Sequence, residues 1–377
     1  MKSSLGLLVA CVLCGQTSQL SPETRRLNLE SFEKVWSTVR DKHWEKNPAG
    51  LDWQAIHDEF RPRAEAAATM EDARNVMREM LGRLKQTHFG IVPASIYEDV
   101  GRQAGDATPG LELRLLDGHA IVTRIDPASS AMQAGVQVGW ELVSVDGTDL
   151  RPDIAKLASA EVSELTKTRA LEARVSGNSG AKLTLGFVDG AGKTVEKELL
   201  LAEPRGQLTR FGNLPAMTVW TESRKIANSG YYRFNVFLDP ERVINGFEDL
   251  VKSCKSCDGL IIDLRGNPGG TIDEAVSIAG RFLPKGVAGT RTEGRAQGVD
   301  RDYVTADAHP ELDWPLALLV DRGSASASEI LAGALQDHDR GILVGDTTFG
   351  KGVAQQIYLL RGSLGAVQLT VSHYLTP

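Results

Sequence analysis

Leu316-Ala317-Leu318-Leu319-Val320 runs into Asp321-Arg322-Gly323-Ser324-Ala325-Ser326-Ala327-Ser328-Glu329-Ile330. Five apolar residues without alternation suit a strand buried on both faces, as in a parallel sheet. Small residues follow. Then Ile330, Leu331, Ala334 and Leu335 fall on one face of a helix. A strand that enters a helix through small residues is an α/β unit. It is also how hydrolases expose a nucleophilic hydroxyl. The bland reading stands beside it: serines before a helix are ordinarily caps, and Ser-x-x-Glu is a routine helix start.

Two further units flank this one. Leu260-Ile261-Ile262-Asp263-Leu264 suits a second buried strand, followed by the glycine turn Arg265-Gly266-Asn267-Pro268-Gly269-Gly270 and a helix from about Thr271 to Phe282. Ile342-Leu343-Val344 is a third strand, leading to Phe349-Gly350-Lys351-Gly352. The polar residues therefore collect at strand C-terminal ends, where α/β folds put their sites. Serine is a poor nucleophile until a base takes its proton. No histidine pattern suggests one. A buried lysine can serve, because desolvation disfavours its charged form. The glycine turn admits three readings. As a phosphate cradle it lacks Gly-x-Gly-x-x-Gly and a following Lys-Ser/Thr. As an oxyanion hole it would aim the Gly269 and Gly270 amides at developing negative charge. It is also simply a tight turn.

Outward from this core, residues 21 to about 95 read as helical. Phe32, Val35, Trp36 and Val39 form one apolar stripe, and Ala73, Val76, Met77, Met80, Leu81 and Leu84 another, after the capping-box-like Thr69-Met70-Glu71-Asp72. Residues 98–204 read as β-rich, with short apolar runs between glycine turns, a tight-turn signal at Asp146-Gly147 and a short helix ending at Gly135. The stretch 151–181 is polar and partly helical. At the start, Met1-Lys2-Ser3-Ser4 and the apolar run Leu5 to Cys14 suit a signal peptide and are too short to span a bilayer. Leu8-Val9-Ala10-Cys11 is similar to a bacterial lipobox, which would make Cys11 a lipid anchor. Beyond this leader only Cys254 and Cys257 remain. A redox pair or half a zinc site is one reading; a local disulfide or two free thiols is the simpler one. With a net charge of −7 and no basic block, the chain argues against nucleic acid as a partner.

Together the motifs resemble the C-terminal processing peptidases, or tail-specific proteases, of serine peptidase family S41. The likeness is strongest in Gly259–Gly270, Gly323–Asp337 and Gly345–Gln356. It implies a multidomain α+β chain: a leader at 1–20, an N-terminal helical domain at 21–97, a PDZ-like domain at 98–204 and an α/β catalytic domain at 205–377, read as C-terminally shortened because relatives continue past Tyr374-Leu375-Thr376-Pro377. It implies Ser326 as nucleophile, Lys351 as base, Gln355 in support of the lysine, and Asp337 as an organising residue. Gly269, Gly270 and Ala327 become the oxyanion donors. In the PDZ-like segment, Pro109-Gly110-Leu111-Glu112-Leu113 would take a peptide's terminal carboxylate on the amides of Leu111, Glu112 and Leu113, with Gly110 opening the loop. The chain departs from the pattern at Gly139-Trp140, where relatives usually have Gly-Asp.

The resemblance implies an exported, periplasmic or extracellular endopeptidase acting on proteins or peptides with free C-termini, without metal or organic cofactor, and touching a membrane only through a lipid anchor. Two alternatives stay open in the sequence. One is a non-catalytic protein that holds peptides or a hydrophobic ligand on the same fold. The other is a family S41 peptidase with a Ser/His site, using His88 or another histidine.

Overall fold

The computed structural model describes residues 21–85, 90–92, 107–159, 164–209, 217–295, 298–306, 312–360 and 366–377. The leader with its lipobox-like segment, and His88, lie outside the described residues. No helix among the described residues is long and apolar enough to cross a membrane.

Helices α1 (Pro22–Lys42), α2 (Trp53–Ala66) and α3 (Met70–Gly82) open the chain. The apolar stripes read in the sequence are their buried faces. Thr69 caps α3 by accepting from Asp72 N at 3.0 Å. Trp36 and Trp53 cross-link α1 and α2, each indole donating to the other's carbonyl at 2.9 and 3.1 Å. A short strand follows, β1 (Gly90–Val92). It pairs with the last strand of the chain, and the helices share one apolar cluster with Leu360, Val367, Leu369 and Val371. The helical segment is thus packed onto the C-terminal strands. Local helical periodicity could not reveal this, because the partner lies at the other end of the chain.

A second layer is built from β2 (Leu111–Leu116), β3 (His119–Ile125), α4 (Ser130–Gln133), β4 (Glu141–Val145), β5 (Thr148–Asp149), α5 (Arg151–Ser159), α6 (Glu164–Arg174), β6 (Lys182–Val188) and β7 (Thr194–Leu200). The sheet order is β2-β3-β4-β6-β7, with β5 on β4. Asp146 and Gly147 both take positive φ between β4 and β5, as a tight hairpin of this twist needs. β2 is an edge strand, and α6 packs beside it.

The short strands β8 (Gln207–Thr209) and β9 (Met217–Val219) pair with each other. Next come β10 (Thr221–Ile226), β11 (Ser229–Phe234), α7 (Pro240–Ser253), β12 (Gly259–Asp263), α8 (Ile272–Ala279), β13 (Ala288–Glu293), β14 (Arg301–Val304), β15 (Leu316–Val320), α9 (Ala327–Asp337) and β16 (Ile342–Gly345). The central sheet runs β10-β11-β12-β15-β16, parallel from β11 onward. Cys254 and Cys257 are joined as a disulfide in the turn from α7 to β12, with Cα atoms 5.3 Å apart. The chain ends in a hairpin, β17 (Val353–Leu359) and β18 (Ala366–Leu375). β13 and β1 pair with different stretches of β18.

One core group stands out. Glu274 in α8 is 1% exposed, and neither carboxylate oxygen has a hydrogen-bond partner. Burial, and secondarily the charge of Asp239, push its pKa up to about 8. The folded chain therefore holds a proton there that the unfolded chain releases near 4.5. Stability should fall as pH rises from about 5 to 8, by about 1.4 kcal/mol per unit at most. Glu274→Gln keeps the shape and cannot ionise. Thermal melts should show the variant's advantage over wild type widening across that window; a constant difference would contradict this.

Candidate active site

The sequence brings two turns together at the C-terminal ends of β12 and β15. The first is the glycine turn 265–270. The second is the segment 321–326 leading into α9. Asp321 joins them, its Oδ1 accepting from Gly266 N and Gly323 N, both at 2.9 Å. Ser324 and Ser328 are buried. Ser324 Oγ donates to Leu264 O at 2.8 Å, and Ser328 Oγ donates to Asn267 O at 2.9 Å. Those two serines are stitches. Ser326, between them, is partly exposed and sits at the N-terminus of α9 with φ 57° and ψ −115°. A positive φ at a serine is strained. The neighbouring bonds impose it, and the helix N-terminus adds partial positive charge beside the hydroxyl.

Asn267, 1% exposed, is the hub of the glycine turn. Its side chain donates to Phe234 O at 3.0 Å and accepts from Gly269 N at 3.0 Å. Gly269 takes φ 96°, and a Cβ there would lie 2.5 Å from Ala325 O and 2.7 Å from Ala327 N. Its role is close approach to the serine turn. Its amide is already spent on Asn267, which removes it from the three expected oxyanion donors. Among the described residues, the amides of Gly270 and Ala327 donate to no acceptor in either turn. These two remain.

The lysine turn is held by one carboxylate. Glu329 Oε2 accepts from Ser326 N at 2.7 Å and from Lys351 N at 2.9 Å. Its Oε1 accepts from Thr348 Oγ1 at 2.7 Å and Gly350 N at 2.6 Å. With one oxygen shared, the backbone nitrogens of Ser326 and Lys351 are at most 5.6 Å apart, the 2.7 and 2.9 Å bonds laid end to end. Phe349 N also donates to Ser324 O at 3.0 Å. Lys351 and Gln355 are half-buried, and Gln355 Nε2 is a buried donor with no partner at a bulge in β17. Asp337 is not brought here. It is exposed at the far end of α9, about 15 Å of helical rise from its start. The resemblance does not carry over Glu329, Asn267 or Asp321. The capping-box spacing of Glu329 signals only one of its four bonds.

The β-rich layer is fastened over this end of the sheet. Arg114 of β2 pairs with Asp321, Glu112 with Arg233 at 3.2 Å, and Arg124 with Glu222 at 3.1 Å. A cleft of about 630 Å³ runs between the layers, lined among others by Leu116, Thr123, Arg265 and Gly323. Gly110, at φ 76°, has no room for a Cβ against Ser129. The Leu111 and Leu113 side chains are buried in the apolar cluster of their own layer, and Glu112 is ion-paired. Among the described residues, no group of three or more His, Cys, Asp or Glu is arranged to hold a metal ion.

The model for peptidase family S41 matches residues 228–377, and that for the tricorn protease C1 domain matches residues 28–82. A carboxyl-terminal-processing protease of Synechocystis is 29% identical over 388 aligned residues, which span 98% of this chain and 82% of that one. Carboxy-terminal processing protease CtpB of Bacillus subtilis is 27% identical over 350 residues, spanning 90% of this chain and 65% of that one. Among solved structures, a photosystem II D1 C-terminal processing protease superposes with a TM-score of 0.60 at 24% identity, covering 93% of this chain and 89% of that one.

Proposed function

We propose that this serine-type peptidase, whose residues 228–377 match the model of peptidase family S41, is an exported endopeptidase that cuts proteins with a Ser326/Lys351 dyad. The observation that carries this is the Glu329 carboxylate, which bonds the backbones of both residues through a single oxygen. Ser326 Oγ attacks the scissile carbonyl carbon while its proton passes to the neutral amine of Lys351. The carbonyl electron pair moves onto oxygen, where the Gly270 and Ala327 amides receive it. The amine leaves with the proton returned by Lys351, and water, deprotonated by the same lysine, releases the acyl group. Gln355, with an unspent donor beside β18, orients the lysine turn. Glu329 is a positioning residue, since its four hydrogen bonds come from three backbone amides and Thr348.

The β-rich layer serves as a PDZ-like module. Its edge strand β2 is open to a peptide added as a further strand beside α6, with the backbone amides after Gly110 for the terminal carboxylate. The buried Leu111 and Leu113 supply the floor of such a groove, not an open pocket. Amidating a substrate's C-terminus removes that charge and leaves the scissile bond untouched. The free acid should be cleaved with a kcat/KM about ten times that of the amide, mainly through KM. Equal values would show that chain ends are not read here.

A further inference from the structure

Tyr374 is a residue that neither the motifs nor the family likeness assigns to the chemistry. It lies on β18, its backbone N donating to Gly352 O at 3.1 Å, one residue beyond the lysine. The side chain is 9% exposed. Its hydroxyl is buried and makes no hydrogen bond of normal length, yet it lies beside both the Glu329 carboxylate and the Ser326 hydroxyl. A buried donor with nothing to donate to is costly, and such groups in native folds call for an explanation.

The choice of acceptor follows from counting. A carboxylate offers about four lone-pair sites. Glu329 already accepts four hydrogen bonds, from Ser326 N, Lys351 N, Thr348 Oγ1 and Gly350 N. The acceptor left to the phenol is Ser326 Oγ. We propose that Tyr374 is a catalytic residue of the Ser326 site, its hydroxyl donating to Ser326 Oγ and holding that oxygen toward Lys351 as it becomes the nucleophile. The inference rests on the Ser326/Lys351 reading and deepens it. A donor on Oγ leaves the serine's own proton to point at the lysine, which fixes the side-chain torsion. It also stabilises the negative charge that builds on Oγ as the proton leaves. Through attack the serine proton goes to Lys351 and the phenol keeps its own. Burial, and then the Glu329 carboxylate, hold the phenol well above its usual range, so it remains a donor.

Tyr374→Phe keeps the ring and removes only the hydroxyl. Three quantities are measured on wild type and variant: kcat and KM for a peptide, the rate of Ser326 labelling by a small fluorophosphonate, and Tm. The expected result is a fall of about ten- to a hundredfold in both kcat and labelling rate, with KM and Tm little changed. The fluorophosphonate has no peptide subsites to fill, so equal losses place the effect at Oγ and not in substrate binding. Unchanged kcat and labelling rate would overturn the role of Tyr374 while leaving the dyad standing. Loss of activity only in step with lost Tm would make the residue structural and overturn it too. Absence of Ser326 labelling in the wild type overturns the dyad and this role together.

Discussion

Ser326→Ala should lower kcat/KM by about 10⁴-fold or more, while the fold and Tm are kept. The alternating serines make this a sharp comparison. Ser324→Ala and Ser328→Ala remove stitches between the two turns, but Leu264 O still accepts from Asn267 N and Asn267 O from Ala325 N. They should cost about 0.5–1.5 kcal/mol of stability and retain much of the activity per folded molecule. If Ser326→Ala kept full activity, or if Ser324 or Ser328 proved the indispensable hydroxyl, the register of the nucleophile would be wrong. Measuring kcat/KM and Tm on all three variants separates a lost nucleophile from a loosened turn.

Lys351→Arg should be close to inactive, about a thousandfold down or more, although it conserves charge and reach. Arginine stays protonated and cannot take the proton from Ser326. Its backbone amide would still bond Glu329, because that contact does not involve the side chain. The loss should therefore appear in kcat with KM and Tm nearly unchanged. An arginine variant within tenfold of wild type would remove Lys351 from the base role and return attention to a histidine.

The α/β core was legible because its signals are local. Leu260–Leu264, Leu316–Val320 and Ile342–Val344 are apolar runs that end in polar turns, and each is a strand of the parallel sheet. The serine turn and the lysine turn could be named from their small residues and glycines. What stayed hidden depends on partners far away in the chain. β1 looks like the tail of a helical segment until β18, over 270 residues later, supplies its pairing. Glu329 reads as a capping residue, and three of its four bonds go to the 348–351 turn. Gly269 reads as an amide donor, but the Asn267 side chain two residues earlier has already taken that amide. Motif register alone points to Asp337, and helical rise carries it away from the site.

The central claim is that one hydroxyl, on Ser326, is activated by Lys351. The most direct test is to react the purified protein with a fluorophosphonate and locate the adduct by peptide mass spectrometry, with Lys351→Arg in parallel. The account predicts one adduct, on Ser326, forming in the wild type and all but absent in the arginine variant. An adduct on another serine, or equal labelling of Ser326 in both proteins, would contradict it.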